Sequence, residues 1–116
     1  MTEAQLQSAV IELAHVLNWR VAHFRPAMVG KRWMTPVAAD GAGFPDLVLA
    51  RANVVAFVEL KSTKGKPTPE QVAWLGALDG VNPAFVWRPI DWTDGSIEAW
   101  LRSPTSGHEP ERWWTW

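Results

Sequence analysis

The chain contains no cysteine and no tyrosine. The first absence excludes disulfides, thiolate metal sites, iron–sulfur clusters and cysteine nucleophiles, and it suits a reducing cytoplasm. No apolar run approaches the ~20 residues needed to span a bilayer. Residues 1–5 (MTEAQ) lack the basic start and apolar stretch of a secretion signal. A cytoplasmic protein without a membrane partner is therefore expected.

Charge is scarce in sum but uneven along the chain. The net charge is −1. Residues 1–66 carry eight Lys/Arg against five Asp/Glu, a balance of +3, and residues 67–116 carry three against seven, a balance of −4. Arg20, Arg25, Lys31 and Arg32 follow one another with no acid between them. A local basic surface attracts phosphates even on a nearly neutral chain, although a solvated loop can have the same composition. With 47% hydrophobic and 20% charged residues in 116 positions, the chain reads as one globular domain spanning 1–116. Nine tryptophans are present; they report packing or interfaces and carry no chemistry of their own.

Patterning predicts a helix over 3–17, with Thr2 and Gln5 as a capping box and Leu6, Val10, Leu13, Ala14 and Leu17 at helical spacing. A strand follows at 19–24. Residues 25–43, rich in Gly and Pro, read as one long loop, a kind of segment that is usually functional or mobile. Strands at 46–51 and 54–61 are joined by a tight turn at Ala52 and Asn53. Thr68, Pro69 and Gln71 open a second helix that Gly80 ends. A strand at 84–88, a helix at 96–101 and an irregular tail at 103–116 complete the chain. The order α-β-β-β-α-β-α favours an α/β fold with a mixed central sheet flanked by helices.

Strand side chains alternate, so Glu59 and Lys61 share a face with Val55 and Phe57. A carboxylate and an ammonium ending an otherwise apolar strand persist there only when something compensates their desolvation. Positions 46 and 59 each lie 6.5 residues from the turn centre between 52 and 53, so the pairing brings Asp46 against Glu59. Two converging carboxylates suit Mg²⁺ or Mn²⁺. The same spacing also describes an exposed edge pair worth less than about 1 kcal/mol.

The segments GFPDLVLAR and VAFVELKSTKGKPTPEQVAWLGAL resemble the VRR-NUC branch of the PD-(D/E)xK nucleases. Pro45-Asp46 matches the PD element, and Glu59-Leu60-Lys61 the (D/E)xK element. Thr68-Pro69-Glu70-Gln71 with Trp74 resembles the following helix, and TEAQLQSAVIELAHVLNWRVAH the first. The likeness covers about residues 2–92 and is greatest to small stand-alone bacteriophage members. It implies a restriction-endonuclease-like core and Mg²⁺-dependent DNA endonuclease activity, with Mn²⁺ as a substitute. Holliday junctions, flaps, other branched DNA or plain duplex are its candidate substrates. Asp46, Glu59, the Leu60 carbonyl and Glu3 would hold the metal. Lys61 would orient water, offset charge or transfer a proton, and Gln71 would either sit at the site or simply close its helix cap. Stand-alone members imply a homodimer, for which Trp100, Trp113, Trp114 and Trp116 are candidate interface residues. Charge and position, not the resemblance, point to Arg25, Lys31, Arg32, His23, Lys64 and Lys66 as DNA contacts. A non-catalytic DNA-binding or assembly module on the same fold, and an RNA-directed nuclease, are the competing readings.

Overall fold

Both capping boxes form. Thr2 Oγ1 accepts from the Gln5 N–H (3.1 Å), and the Gln5 side chain accepts from the Thr2 N–H (2.8 Å). Thr68 and Gln71 make the same reciprocal pair at 3.2 and 2.8 Å. They start α1 (Glu3–Val16) and α2 (Pro69–Leu78). A computed structural model describes residues 1–24, 27–34, 38–80 and 82–104. Its remaining elements are β1 (Arg20–His23), β2 (Ala27–Val29), β3 (Arg32–Met34), β4 (Leu47–Arg51), β5 (Val54–Leu60), β6 (Ala84–Trp87), α3 (Pro89–Thr93) and α4 (Ser96–Arg102).

α1 ends in a Schellman motif. Asn18 takes φ 68°, its N–H bonds the His15 carbonyl, and the Trp19 N–H reaches back to Ala14. That reversal delivers Trp19 into the core and starts β1. Ala52 and Asn53 both have positive φ, 50° and 69°, as a two-residue type I′ hairpin turn requires. The register follows: Leu47 faces Val58 and Arg51 faces Val54.

β1, β4, β5 and β6 form one sheet in that order, with β5–β6 parallel and the other pairs antiparallel. One face, with Leu47, Leu49, Ala56, Val58 and Leu60, buries Leu6, Val10 and Ala14 of α1 and Ile97 and Leu101 of α4. The other packs Ala84 and Val86 against Leu75 of α2. The mixed sheet between helices agrees with a restriction-endonuclease-like core.

Two parts of the expected layout need correction. Within the segment 25–43, residues 27–34 form a two-stranded hairpin, β2–β3, which pairs with no other strand among the described residues. A five-residue helix, α3, precedes α4. Three-residue strands are too short to display a period of two, so the hairpin left no pattern to read. Among the described residues no helix is long and apolar enough to cross a membrane.

Arg51 ties the far end of the molecule together. Its Nη1 donates to the Leu17 carbonyl (2.8 Å) and its Nη2 to the Arg102 carbonyl (3.3 Å), and its guanidinium lies 4.8 Å from the Trp19 ring centre. Arg51→Met should destabilise the protein by about 2 kcal/mol, through lost carbonyl partners and lost cation–π contact. Urea unfolding measures this; a change under about 0.5 kcal/mol would mean that water replaces the guanidinium without cost.

Candidate active site

The antiparallel and parallel pairings place four chain segments at one end of the sheet: His23–Phe24 at the end of β1, Asp46 before β4, Glu59 to Lys61 at the end of β5, and Trp87–Arg88 at the end of β6. The register that pairs Leu47 with Val58 extends to put Asp46 opposite Glu59. Asp46 uses both its main chain and its side chain there. Its carbonyl accepts from the Phe24 N–H (3.2 Å), and its Oδ2 accepts from the Leu60 N–H (2.8 Å). The carboxylate thus takes the place of the next backbone acceptor in the β4–β5 ladder. The Lys61 N–H points the other way, to Trp87 (3.1 Å). Alternation therefore turns the Leu60 carbonyl to the same side as its own N–H, beside Asp46.

Glu59 is only 2% exposed. Its Oε1 accepts from Gln71 Nε2 at 3.1 Å, while its Oε2 is buried and no donor among the described residues reaches it. The carboxyl is pushed up to about 9. Burial is the largest cause, and the Asp46 carboxyl beside it is the next, as a partner that can share a proton and as a like charge. Lys61 opposes the shift, and Glu3 adds slightly to it.

Gln71 performs both of the tasks between which the sequence left a choice. Its carbonyl oxygen closes the α2 cap, and its amide nitrogen holds Glu59. Glu3 is exposed, and its charge reaches Glu59, but no cluster of three or more His, Cys, Asp or Glu side chains able to hold a metal occurs among the described residues. Lys61 is half-buried. Lys31, Arg32, Lys64 and Lys66 are exposed and His23 is half-buried. Arg25 lies outside the described residues, as do Trp113, Trp114 and Trp116. Trp100 packs within the molecule, its ring 5.4 Å from Trp19 and 4.9 Å from Phe85.

Two supports carried no signal in the sequence. Arg88 Nη1 donates to the carbonyls of Ser62 (2.7 Å) and Gly65 (2.6 Å), clamping the turn that follows Lys61. Phe44 packs edge-on against Phe24, Phe57 and Trp74, and Trp74 Nε1 donates to the Asp40 carbonyl (2.8 Å). The chain before Asp46 is thereby held against α2.

The family model for the VRR-NUC domain matches residues 2–86, nearly three quarters of the chain. The chain belongs to the VRR-NUC family. The matched span contains Glu3, Asp46, Glu59, Lys61 and Gln71, and ends just before Arg88. Membership implies nuclease-type processing of DNA. Comparison with curated proteins and with solved structures returned no match.

In this VRR-NUC chain, Gln71→Glu separates the two tasks of Gln71. Glutamate still closes a capping box, but it replaces the donor to buried Glu59 by a further carboxylate, so the metal-free protein should lose about 1–3 kcal/mol while α2 keeps its start. Glutamate cannot donate to Glu59, so DNA cleavage should fall about 10–100-fold, as when an outer partner of a ligand is lost. Cleavage at the wild-type rate would reduce Gln71 to a helix cap.

Proposed function

We propose that this chain is a Mg²⁺-dependent DNA endonuclease centred on Asp46 and Glu59. The observation that carries the reading is a carboxylate pair at the end of a buried strand, in which Glu59 Oε2 is buried with no donor among the described residues. Leaving a carboxylate oxygen unpartnered and dry is costly, and a divalent cation removes that cost. The donor set of two carboxylates and the Leu60 carbonyl is all oxygen, as Mg²⁺ or Mn²⁺ prefers. Bound there, the ion would polarise the phosphate and acidify a water.

The protein's own residues supply the rest. The Leu60 N–H and the Gln71 amide each anchor one carboxylate oxygen, leaving the other oxygen of each carboxylate for the site. Lys61 places a positive charge on the Glu59 face, where it offsets the negative charge that builds on the phosphoryl oxygens. Glu3 adds negative charge from the start of α1 and would reach the ion through water. The resemblance to stand-alone members favours branched DNA, junctions and flaps, as substrate. Cutting two symmetric strands then calls for a homodimer.

Labelled duplex, flap and four-way-junction DNA incubated with Mg²⁺, Mn²⁺ or EDTA tests this. The wild type is expected to cut with either ion and not in EDTA, and folded Lys61→Ala to cut far less. A folded wild type that binds DNA but cuts none of these substrates would make the chain a binding module instead.

A further inference from the structure

We infer that the sheet end carrying Asp46 and Glu59 holds duplex DNA between two basic arms, the β2–β3 hairpin on one side and the turn 62–66 on the other. The inference deepens the nuclease reading and rests on it for the direction in which DNA approaches. Topology supplies the placement. Across that end the order is β1, β4, β5, β6, with the carboxylates on the two inner strands. The hairpin leaves from the outer strand β1, and the turn 62–66 follows β5 on the β6 side, where the Lys61 N–H bonds Trp87. Three strand spacings separate β1 from β6, about 14 Å, which corresponds to about four base-pair steps of DNA. Cations on both flanks can therefore meet backbone phosphates on either side of the bond between the carboxylates.

The outgoing root of the hairpin is tied to Asp46, and the chain that returns from it is tied to α2 and to Phe24. On the way out, the Phe24 N–H bonds the Asp46 carbonyl. On the way back, Trp74 holds the Asp40 carbonyl and Phe44 stacks edge-on against Phe24. The strands are joined by Gly30 and Lys31, so Lys31 stands at the tip with Arg32 next to it, both exposed. No acid occurs between Glu12 and Asp40. An isolated two-stranded hairpin is marginal in water, and this one pairs with no other strand among the described residues. A two-stranded ribbon fits a DNA major groove about 12 Å wide. The opposite arm is braced instead: Arg88 grips the Ser62 and Gly65 carbonyls, and the Gly65 N–H bonds Ser62 Oγ at 3.0 Å. This presents exposed Lys64 and Lys66 from a pre-ordered turn.

Fluorescence anisotropy with a labelled duplex in Ca²⁺, across a salt series, reads binding separately from cutting. The full chain is compared with Lys31→Glu/Arg32→Glu, with Lys64→Glu/Lys66→Glu, and with Arg102→Gln on α4 as the control. Unchanged melting temperatures confirm that each variant is folded. Each double variant is expected to weaken binding about tenfold or more and to lower the salt slope by about 2, near 0.9 per lost phosphate contact. Arg102→Gln should stay within about twofold. A hairpin variant that binds like wild type with an unchanged slope overturns the two-arm inference. Weakened binding by both arms, with no cutting by wild type in Mg²⁺ or Mn²⁺, would support the arms and reject the nuclease.

Discussion

Glu59→Gln is expected to abolish metal-dependent DNA cleavage while making the metal-free protein more stable at neutral and alkaline pH. The two effects have one cause. Glu59 is buried beside Asp46, and its carboxyl is raised to about 9 from 4.5. Between those values the folded protein binds a proton that the unfolded chain has released. The associated stability is fully present below about pH 4.5 and is lost as pH rises towards 9. At pH 7 the loss amounts to about 3 kcal/mol, at 1.36 kcal/mol per pH unit. Glutamine has the same shape, is neutral at every pH and can still accept from Gln71, so it removes the slope. It also removes the anionic oxygen proposed to hold the metal, so activity should fall by more than the roughly 10–100-fold that losing an outer partner costs. Thermal melts in EDTA from pH 5 to 9 decide the first part. Equal slopes for wild type and Glu59→Gln would show that Glu59 is already ionised in the fold.

Gly43→Ala should damage both stability and activity, although position 43 touches neither carboxylate. Gly43 has φ 83°, and a Cβ built there would lie 2.7 Å from Glu70 Cβ, 2.8 Å from the Glu70 carbonyl carbon and 2.9 Å from the Gln71 nitrogen. All three atoms belong to the first turn of α2, and two of them are backbone, which cannot rotate away. Left-handed strain of about 1–2 kcal/mol adds to overpacking of about 1–3 kcal/mol, for a total of about 2–5 kcal/mol. Relief by moving α2 would draw Gln71 away from Glu59 and lower cleavage in molecules that remain folded. Gly30→Ala is the comparison, because φ there is also positive, 62°, but nothing lies within 4 Å of the added atom. Urea unfolding should rank Gly43→Ala clearly below Gly30→Ala. Equal losses would mean that backbone strain alone matters and that the close approach to α2 is soft.

The pairing of Asp46 with Glu59 is legible in the amino-acid sequence, because a two-residue turn sets the register of every residue in its hairpin. The two caps are legible for a similar reason: each lies within four residues of chain. The two roles of Gln71 are not separable there, since its cap partner is three residues away and its carboxylate partner twelve. Arg51 and Arg88 carry no signal in the sequence, because the carbonyls they hold come from distant segments. Trp100 reads as an interface candidate because tryptophan counts do not distinguish a partner's surface from Trp19 and Phe85 across the same core.

Local chemistry within the chain is enough to specify the helix starts, the β4–β5 hairpin and the placing of PD and ExK side by side, since each depends on turns and alternation spanning a few residues. The environment of those groups requires the folded molecule. Burial by β6 and α2 turns an ordinary Glu59 into a proton-holding carboxyl, and Gly43 decides how near α2 can come. The shared end of the sheet gathers Phe24, Leu60 and Gln71, far apart in sequence, around one pair of acids. Desolvation, close approach and charge convergence are properties of three-dimensional distance, which a linear pattern of residues does not contain.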